Sequence, residues 1–313
     1  MTPRKVWRTA STPKGCLREG GRLPQTGATR AEGRPAPPCP GGESMERPFV
    51  EINEVAMRYG GVEGTLALKG TTLSVAKGEF IAVVGPSGCG KSTLMRLVTG
   101  LWPATAGSVI VSGAEVAGPL TVAGMAFQNP TLLPWRNIID NVMLPLEVVE
   151  PHRRRLRSQR AMYEAKARDL LGLVGLGGFE KKFPWQLSGG MQQRASLCRA
   201  LIHDPALLML DEPFAALDIF TREDLWSVLQ DVWMARKPTV ILVTHDLREA
   251  TFLSDRVLVM SSRPGRIIAE RQVGLPRPRT LETTYMPEFV TMVHDLREHI
   301  SAARKGEEVV HAA

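Results

Sequence analysis

An α/β fold, built on a parallel sheet and interrupted by a helical insertion, is what this sequence predicts. Three observations carry it. The apolar run Phe80–Val84 leads straight into Gly85-Pro86-Ser87-Gly88-Cys89-Gly90-Lys91-Ser92-Thr93, a loop of the form G-x-x-x-x-G-K-[ST]. Further strand-sized apolar runs follow at Leu207–Leu210, Val240–Thr244 and Arg256–Met260, and the first of them ends in Asp211-Glu212. Between these blocks, from Asn137 to Leu176, helical patterns replace strand patterns.

Taken in order, residues 1–44 contain seven Gly and seven Pro with no helical or strand period. Such composition cannot bury enough apolar surface to offset its ordering entropy, so a disordered tail is expected. Met45 opens a more structured stretch and is a candidate initiator. Phe49–Ile52, Leu66–Val75 and Phe80–Val84 read as strands, the last fully apolar as a buried parallel strand should be. A helix is expected over Lys91–Leu101, with Leu94, Leu97, Val98 and Leu101 on one face. Ser108–Val111 and Val122–Phe127 are further strand candidates. In the insertion, Met162, Ala165, Leu170 and Leu173 recur at helical spacing after a basic run from His152 to Arg157. Helices are expected at Met191–His203 and Ile219–Trp233. A last one over 281–301 would pack on the core through Met286, Phe289, Val293, Leu296 and Ile300.

At 313 residues the chain can bury a full core. No run approaches the 18 or so apolar residues that span a bilayer, so any pore must lie on another polypeptide. No secretory h-region is evident in the first 44 residues. Cys16, Cys39, Cys89 and Cys198 show neither metal-ligand spacing nor an even disulfide framework, as suits a reducing cytoplasm. Of the net charge of +7, residues 1–44 supply +5. A nearly neutral body with a basic tail argues against nucleic acid and leaves room for weak attraction to an anionic leaflet.

The chemistry concentrates at strand ends. A strand, a Gly-rich loop and a helix N-terminus aim successive N–H groups at an anion, and glycines 85, 88 and 90 keep side chains out of the way. Lys91 is placed to reach β- and γ-phosphates, and the Ser92 hydroxyl to ligate Mg²⁺. Cys89 is read as a tolerated loop residue. Asp211 ends a strand, so its carboxylate emerges at the sheet's carboxyl edge, where it can hold Mg²⁺. Ser188, Gly189 and Gly190 open a second helix N-terminus with an anion-binding character, for which a monomer has no evident use.

Together with Leu187-Ser188-Gly189-Gly190-Met191 and the Ala216-Leu217-Asp218 that follows the acid pair, these motifs resemble the ATP-binding subunits of ABC transporters. The resemblance runs from about Phe49 to Ile268. It implies a P-loop NTPase (RecA-like) core with an antiparallel β subdomain and a helical insertion. The ATPase domain would span 48–281, with the insertion at about 129–190, and 282–313 would form a C-terminal helix and tail. The implied cofactors are ATP and Mg²⁺. By the same resemblance Glu212 polarises the attacking water, Gln128 contacts Mg²⁺ and that water, His245 senses the γ-phosphate, and Tyr59 stacks on adenine. The implied nucleotide contacts are Tyr59, the loop Gly85–Thr93, Ser188, Gly189, Gly190 and Asp218, with Ser92, Gln128 and Asp211 at the metal. A second copy of the chain would present its signature to the first copy's ATP, head to tail. Met191 stands where many members have Gln.

Phe127–Arg136 and Ser262–Ile267 narrow the resemblance to the nitrate/sulfonate/taurine importer group. That implies separate permease subunits, a periplasmic or lipoprotein substrate-binding protein, and a peripheral place on the cytoplasmic face of the bacterial inner membrane. The apolar cluster Leu132-Leu133-Pro134-Trp135 is costly to leave exposed, so a permease surface or the local core should cover it. An exporter or lipid-extraction ATPase shares every catalytic motif. A soluble ATPase acting on DNA or ribosomes fits less well, since only 60 positions separate Gln128 from Ser188 and one cassette is present. A plain P-loop kinase leaves Leu187–Met191 unexplained.

Overall fold

Strand β3 (Phe80–Val84) is buried on both faces, and its side chains divide strictly by the two-residue period of a strand. Phe80, Ala82 and Val84 point into one core and Ile81 and Val83 into another. The computed structural model describes residues 47–61 and 63–305. The tail expected in residues 1–44, the candidate initiator Met45 and the end of the C-terminal tail lie outside the described residues.

Around β3 lies a six-stranded sheet. Its members are β6 (Ala123–Ala126), β7 (Leu207–Asp211), β8 (Thr239–Val243), β9 (Arg256–Met260) and β10 (Ile267–Gln272), in the order β10-β9-β3-β8-β7-β6. All neighbours pair in parallel except β10, which returns antiparallel from β9. A second, antiparallel sheet has the order β2-β1-β4-β5. It consists of β1 (Val50–Tyr59), β2 (Thr65–Val75), β4 (Ala106–Val111) and the two-residue β5 (Ala114–Glu115). Its inner face packs with α1 (Lys91–Val98) over one side of the parallel sheet, forming the smaller core.

The other side is covered by helices. These are α2 (Ile138–Met143) and α4 (Arg160–Leu173), then α5 (Gly189–Leu201), α6 (Ile219–Arg236), α7 (Leu247–Leu253) and α8 (Pro287–Lys305), while the short α3 (His152–Arg155) buries no residue. Ser188 caps α5, Asp218 caps α6 and Asp246 caps α7, each accepting a backbone N–H of the first turn.

Four expectations need correction. The first helix stops at Val98, not Leu101: Thr99 Oγ1 donates back to Met95 O at 2.9 Å, and Gly100 takes a left-handed φ of +71°. Leu101 is therefore exposed. On α4 the buried stripe is Tyr163, Ala167, Leu170 and Leu171, whereas Met162, Ala165 and Leu173 face outward. The stripe is set by α2 and α5, which lie against that side of the helix. The C-terminal helix begins at Pro287 after a 3₁₀ turn, Leu281–Tyr285, so Met286 lies outside it and is exposed. Phe289 and Leu296 do enter the core as expected, with Val293 and Ile300 against it. Finally, β5, β10 and α7 form where no element was expected.

The segment after Gln128 is fastened to the helix that opens with Ser188. Gln193 Nε2 donates to Phe127 O at 3.1 Å, and the buried Arg199 donates to Pro130 O and Thr131 O at 2.7 and 3.0 Å. Beyond it, Asn141, wholly buried, holds a tight loop: its Oδ1 accepts Leu133 N at 2.7 Å and its Nδ2 faces the carbonyls of Leu133, Arg136 and Asn137, each at 3.0 Å. The loop carries Trp135 at its tip, 71% exposed. Leu132 instead packs against the core and Leu133 is half-buried, so the apolar cluster splits: one part is covered by the chain and Trp135 is not.

Candidate nucleotide site

Three neighbouring strands, β6, β7 and β8, end side by side at the same edge of the sheet, and each hands on one polar residue. Gln128 follows β6, Glu212 follows β7 and His245 follows β8. Parallel pairing therefore converges residues that are far apart in the chain. Gln128 Nε2 donates to Glu212 Oε2 at 3.2 Å, and His245 Nδ1 lies 3.2 Å from the same oxygen. Glu212 itself has a left-handed backbone, φ +47°, which is uncommon for a residue with a β-carbon. Its N–H still donates to Val243 O at 2.8 Å, so the sheet holds the strained turn in place.

The loop Gly85–Gly90 joins β3 to α1 directly beside these residues. Gly85, Gly88 and Gly90 all have positive φ, and the close approach is real at two of them: a Cβ at Gly85 would stand 2.8 Å from Met260 O, and one at Gly90 2.8 Å from Leu68 Cδ2. Lys91 is buried, its Nζ donating to Gly85 O at 2.9 Å and Pro86 O at 3.0 Å. Ser92 Oγ donates to Asp211 Oδ1 at 3.1 Å. Burial pushes the Asp211 carboxyl above its ordinary range, the Ser92 hydrogen bond works against this, and the neighbouring Glu212 charge adds to it. Cys89 is buried in the same loop, and burial raises its thiol despite nearby Lys91, so it is not an activated nucleophile.

A cavity of about 650 Å³ opens between these groups. Ser87, Gly88, Gly90, Lys91, Ser92 and Thr93 line it on one side, Gln128, Glu212 and His245 on another, and Tyr59, Thr65 and Ala67 at its far end. Tyr59 is half-buried; its hydroxyl shares a 2.7 Å hydrogen bond with Thr93 Oγ1, and its ring meets Trp102 edge-on with centroids 5.2 Å apart. Ser188, Gly189, Gly190 and Asp218 are not brought to this cavity. In the single chain, Ser188 and Asp218 cap helices and stay exposed. Directly after Asp218, Ile219 and Phe220 are 52% and 78% exposed.

Two contributors escaped the sequence. Arg263 lines the cavity from the loop after β9. Arg222 donates to Asp246 Oδ2 and Leu217 O, each at 3.1 Å, and so ties the residue before Asp218 to the residue after His245. The stretch Ser262–Ile267 stands out only as a family resemblance, and nothing local gives either arginine a role at the site, since their partners are 24 or more positions away except for Leu217.

A family model described as ABC transporter matches residues 68–215. An uncharacterized ABC transporter ATP-binding protein of Methanocaldococcus jannaschii is 46% identical over 214 residues, covering 68% of this chain and 77% of the relative. The chain belongs to the ABC transporter family. The aliphatic sulfonates import ATP-binding protein of Bacillus licheniformis is 42% identical over 231 residues, covering 74% and 86% of the two chains. Among solved structures, an ATP-binding cassette in a dimeric, post-hydrolysis state with ADP and Pi matches with a TM-score of 0.63 and 29% identity. The match covers 72% of this chain and all of that one.

As an ABC ATPase, the chain binds and hydrolyses ATP with Mg²⁺. Its own residues suit both. The hydroxyl of Ser92 and the carboxylate of Asp211 already share a hydrogen bond, giving the oxygen donors a hard dication takes. The loop that carries Lys91 lines the cavity with Ser87, Gly88 and Gly90, and the tight packing of Gly85 against Met260 and of Gly90 against Leu68 leaves no room for a Cβ at either position. Among the described residues, no helix of this ABC subunit is long and apolar enough to cross a membrane.

Proposed function

We propose that this chain powers the uptake of a small organic anion of the sulfonate type, acting on separate permease subunits at the cytoplasmic face of the bacterial inner membrane. A periplasmic or lipoprotein binding protein would deliver the solute. The observation that carries the catalytic half is the gathering of Gln128 and His245 on one oxygen of Glu212, at the rim of a cavity that contains Lys91. Glu212 then polarises the water that attacks the γ-phosphate, His245 and Gln128 orient it, and Lys91 with the backbone of Gly85–Thr93 binds the phosphates. Ser92, Asp211 and Gln128 would hold Mg²⁺, which would neutralise phosphate charge when bound. Tyr59 stacks on the base. The relative named for import of aliphatic sulfonates supports the solute class and the direction of transport.

Transport is tested in vesicles that contain the chain assembled with its permease. A binding protein loaded with an alkanesulfonate should raise ATP turnover several-fold over the unloaded protein. No response to sulfonates, with a response to a cation or a sugar, would reject the solute class.

The head-to-tail pair is supported by what one chain leaves undone: Ser188, Gly189, Gly190 and Asp218 stand outside its own cavity, and Ile219 and Phe220 stand uncovered beside them. In the pair, those residues close over the partner copy's ATP. The isolated protein should sediment as a monomer or weak dimer without nucleotide. Glu212→Gln with ATP should run as a stable dimer, because ligand favours the state that binds it best, and a further Ser188→Arg should abolish it. An unchanged mass on adding ATP to Glu212→Gln counts against the sandwich.

A further inference from the structure

The loop Ser261–Arg266, between β9 and β10, is fastened more firmly than a hairpin requires. Ser261 N donates to Arg266 O at 2.9 Å, and Arg266 N donates back to Ser261 Oγ at 3.0 Å. Gly265 N donates to Ala67 O at 2.8 Å and Gly265 O accepts from Lys69 N at 3.1 Å, which laces the loop onto β2. A Cβ at Gly265 would stand 2.1 Å from Cys89 O, so the same turn lies directly against the phosphate loop. Held on two sides, it delivers one side chain to the cavity. Arg263 Nε and Nη2 donate to Gly88 O at 3.2 and 3.1 Å, and the residue lines the cavity that Lys91 lines.

This is an unusual way to satisfy a guanidinium. Among the described residues no carboxylate pairs with Arg263; its partner is a neutral carbonyl, and it is exposed toward the cavity. Lys91 is held in the same fashion, by the carbonyls of Gly85 and Pro86. Both cations lining the cavity thus rest on backbone oxygens of one loop. A phosphate oxygen carries a negative charge that a carbonyl lacks, so it adds Coulomb attraction to each of these cationic bonds, and an Arg–phosphate pair can be bidentate; a polyphosphate therefore outcompetes these carbonyls. Arg also keeps its charge at any working pH and offers a planar fork that fits phosphate oxygens.

We propose that Arg263 is a second phosphate-binding cation of the nucleotide site, contacting the polyphosphate of ATP alongside Lys91. The inference rests on the nucleotide reading of the cavity. Its rival is a purely mechanical role, in which Arg263 clasps Gly88 and never meets nucleotide.

The full chain titrated with ATP at low salt separates the two. Arg263→Ala should raise Kd for ATP about tenfold, the scale expected for loss of a charge-assisted contact. Arg263→Lys keeps the charge and should recover most of the affinity. Arg263→Gln can still donate to the Gly88 carbonyl but has no charge, and should bind as weakly as Arg263→Ala. Wild-type affinity should also fall more steeply with added salt than that of Arg263→Ala. Equal affinity of Arg263→Gln and wild type, or no loss in Arg263→Ala, overturns the proposal. If Arg263→Ala proves misfolded by circular dichroism, the Lys and Gln variants decide alone. Weak binding by Lys91→Ala beside full binding by Arg263→Ala defeats only this inference, whereas no ATP binding by the wild type defeats the nucleotide reading beneath it.

Discussion

Replacing Glu212 by Gln should leave ATP binding intact and lower turnover in the assembled complex at least about 10²-fold. The amide keeps the shape of the carboxylate and can still meet Gln128 and His245, which lie 3.2 Å away in the native site. What it lacks is a basic oxygen for the proton of the attacking water. Lys91→Ala should behave in the opposite way, weakening ATP binding, because its Nζ is held by the carbonyls of Gly85 and Pro86 within the loop proposed to bind the phosphates. Single-turnover hydrolysis combined with equilibrium ATP binding distinguishes the two defects. Near-normal turnover by Glu212→Gln would remove Glu212 from the role of base. The strained backbone at Glu212 gives the same assignment a structural basis: a left-handed residue costs roughly 1–2 kcal/mol, and here it aims a carboxylate at two polar partners on the cavity wall.

The second large effect is expected at Trp135, outside the hydrolytic site. Truncating a buried aromatic anchor of an interface often costs about 2 kcal/mol or more. That corresponds to about a thirty-fold loss of assembly. Trp135→Ala should therefore keep ATP binding, lose co-purification with the permease and impair uptake. The geometry separates this from a folding defect. Trp135 is 71% exposed at the tip of a loop braced from within by Asn141, and Arg136 grips Glu147 through its two terminal guanidinium nitrogens at 2.6 and 3.0 Å. An exposed side chain on such a loop contributes within about 0.5 kcal/mol to the isolated subunit, so the melting temperature should barely move. Leu132→Ala is the contrasting variant, since Leu132 packs against the core and its loss should lower thermal stability. A large melting shift in Trp135→Ala with undiminished permease capture would retire the docking role.

Much of this molecule was written locally. The run Phe80–Val84, the loop Gly85–Thr93 and the pair Asp211-Glu212 are contiguous, and each has one sterically sensible use: a strand buried on both faces, a backbone cradle, a carboxylate at a strand end. Resemblance then supplied Gln128 and His245, but not the reason they meet. That reason is the order β6-β7-β8, which brings three strand ends, 128, 212 and 245, to one carboxylate oxygen. Periodicity was weakest where both faces of a helix carry apolar residues. Along α4, Met162 and Leu173 obey the helical period as well as Tyr163, Ala167 and Leu170 do, and only the packing of α2 and α5 selects the second set. Arg263 is the extreme case. It lies 175 positions from the Gly88 carbonyl it holds, and nothing near it in the chain announces a phosphate site. Bringing the two together takes the β9–β10 turn, the edge of β2 and a glycine at 265 small enough to lie against Cys89. Chemistry carried by adjacent residues is set by bond geometry and can be read along the chain. Chemistry assembled across the fold depends on which surfaces exclude water together, and that is a property of the packed whole.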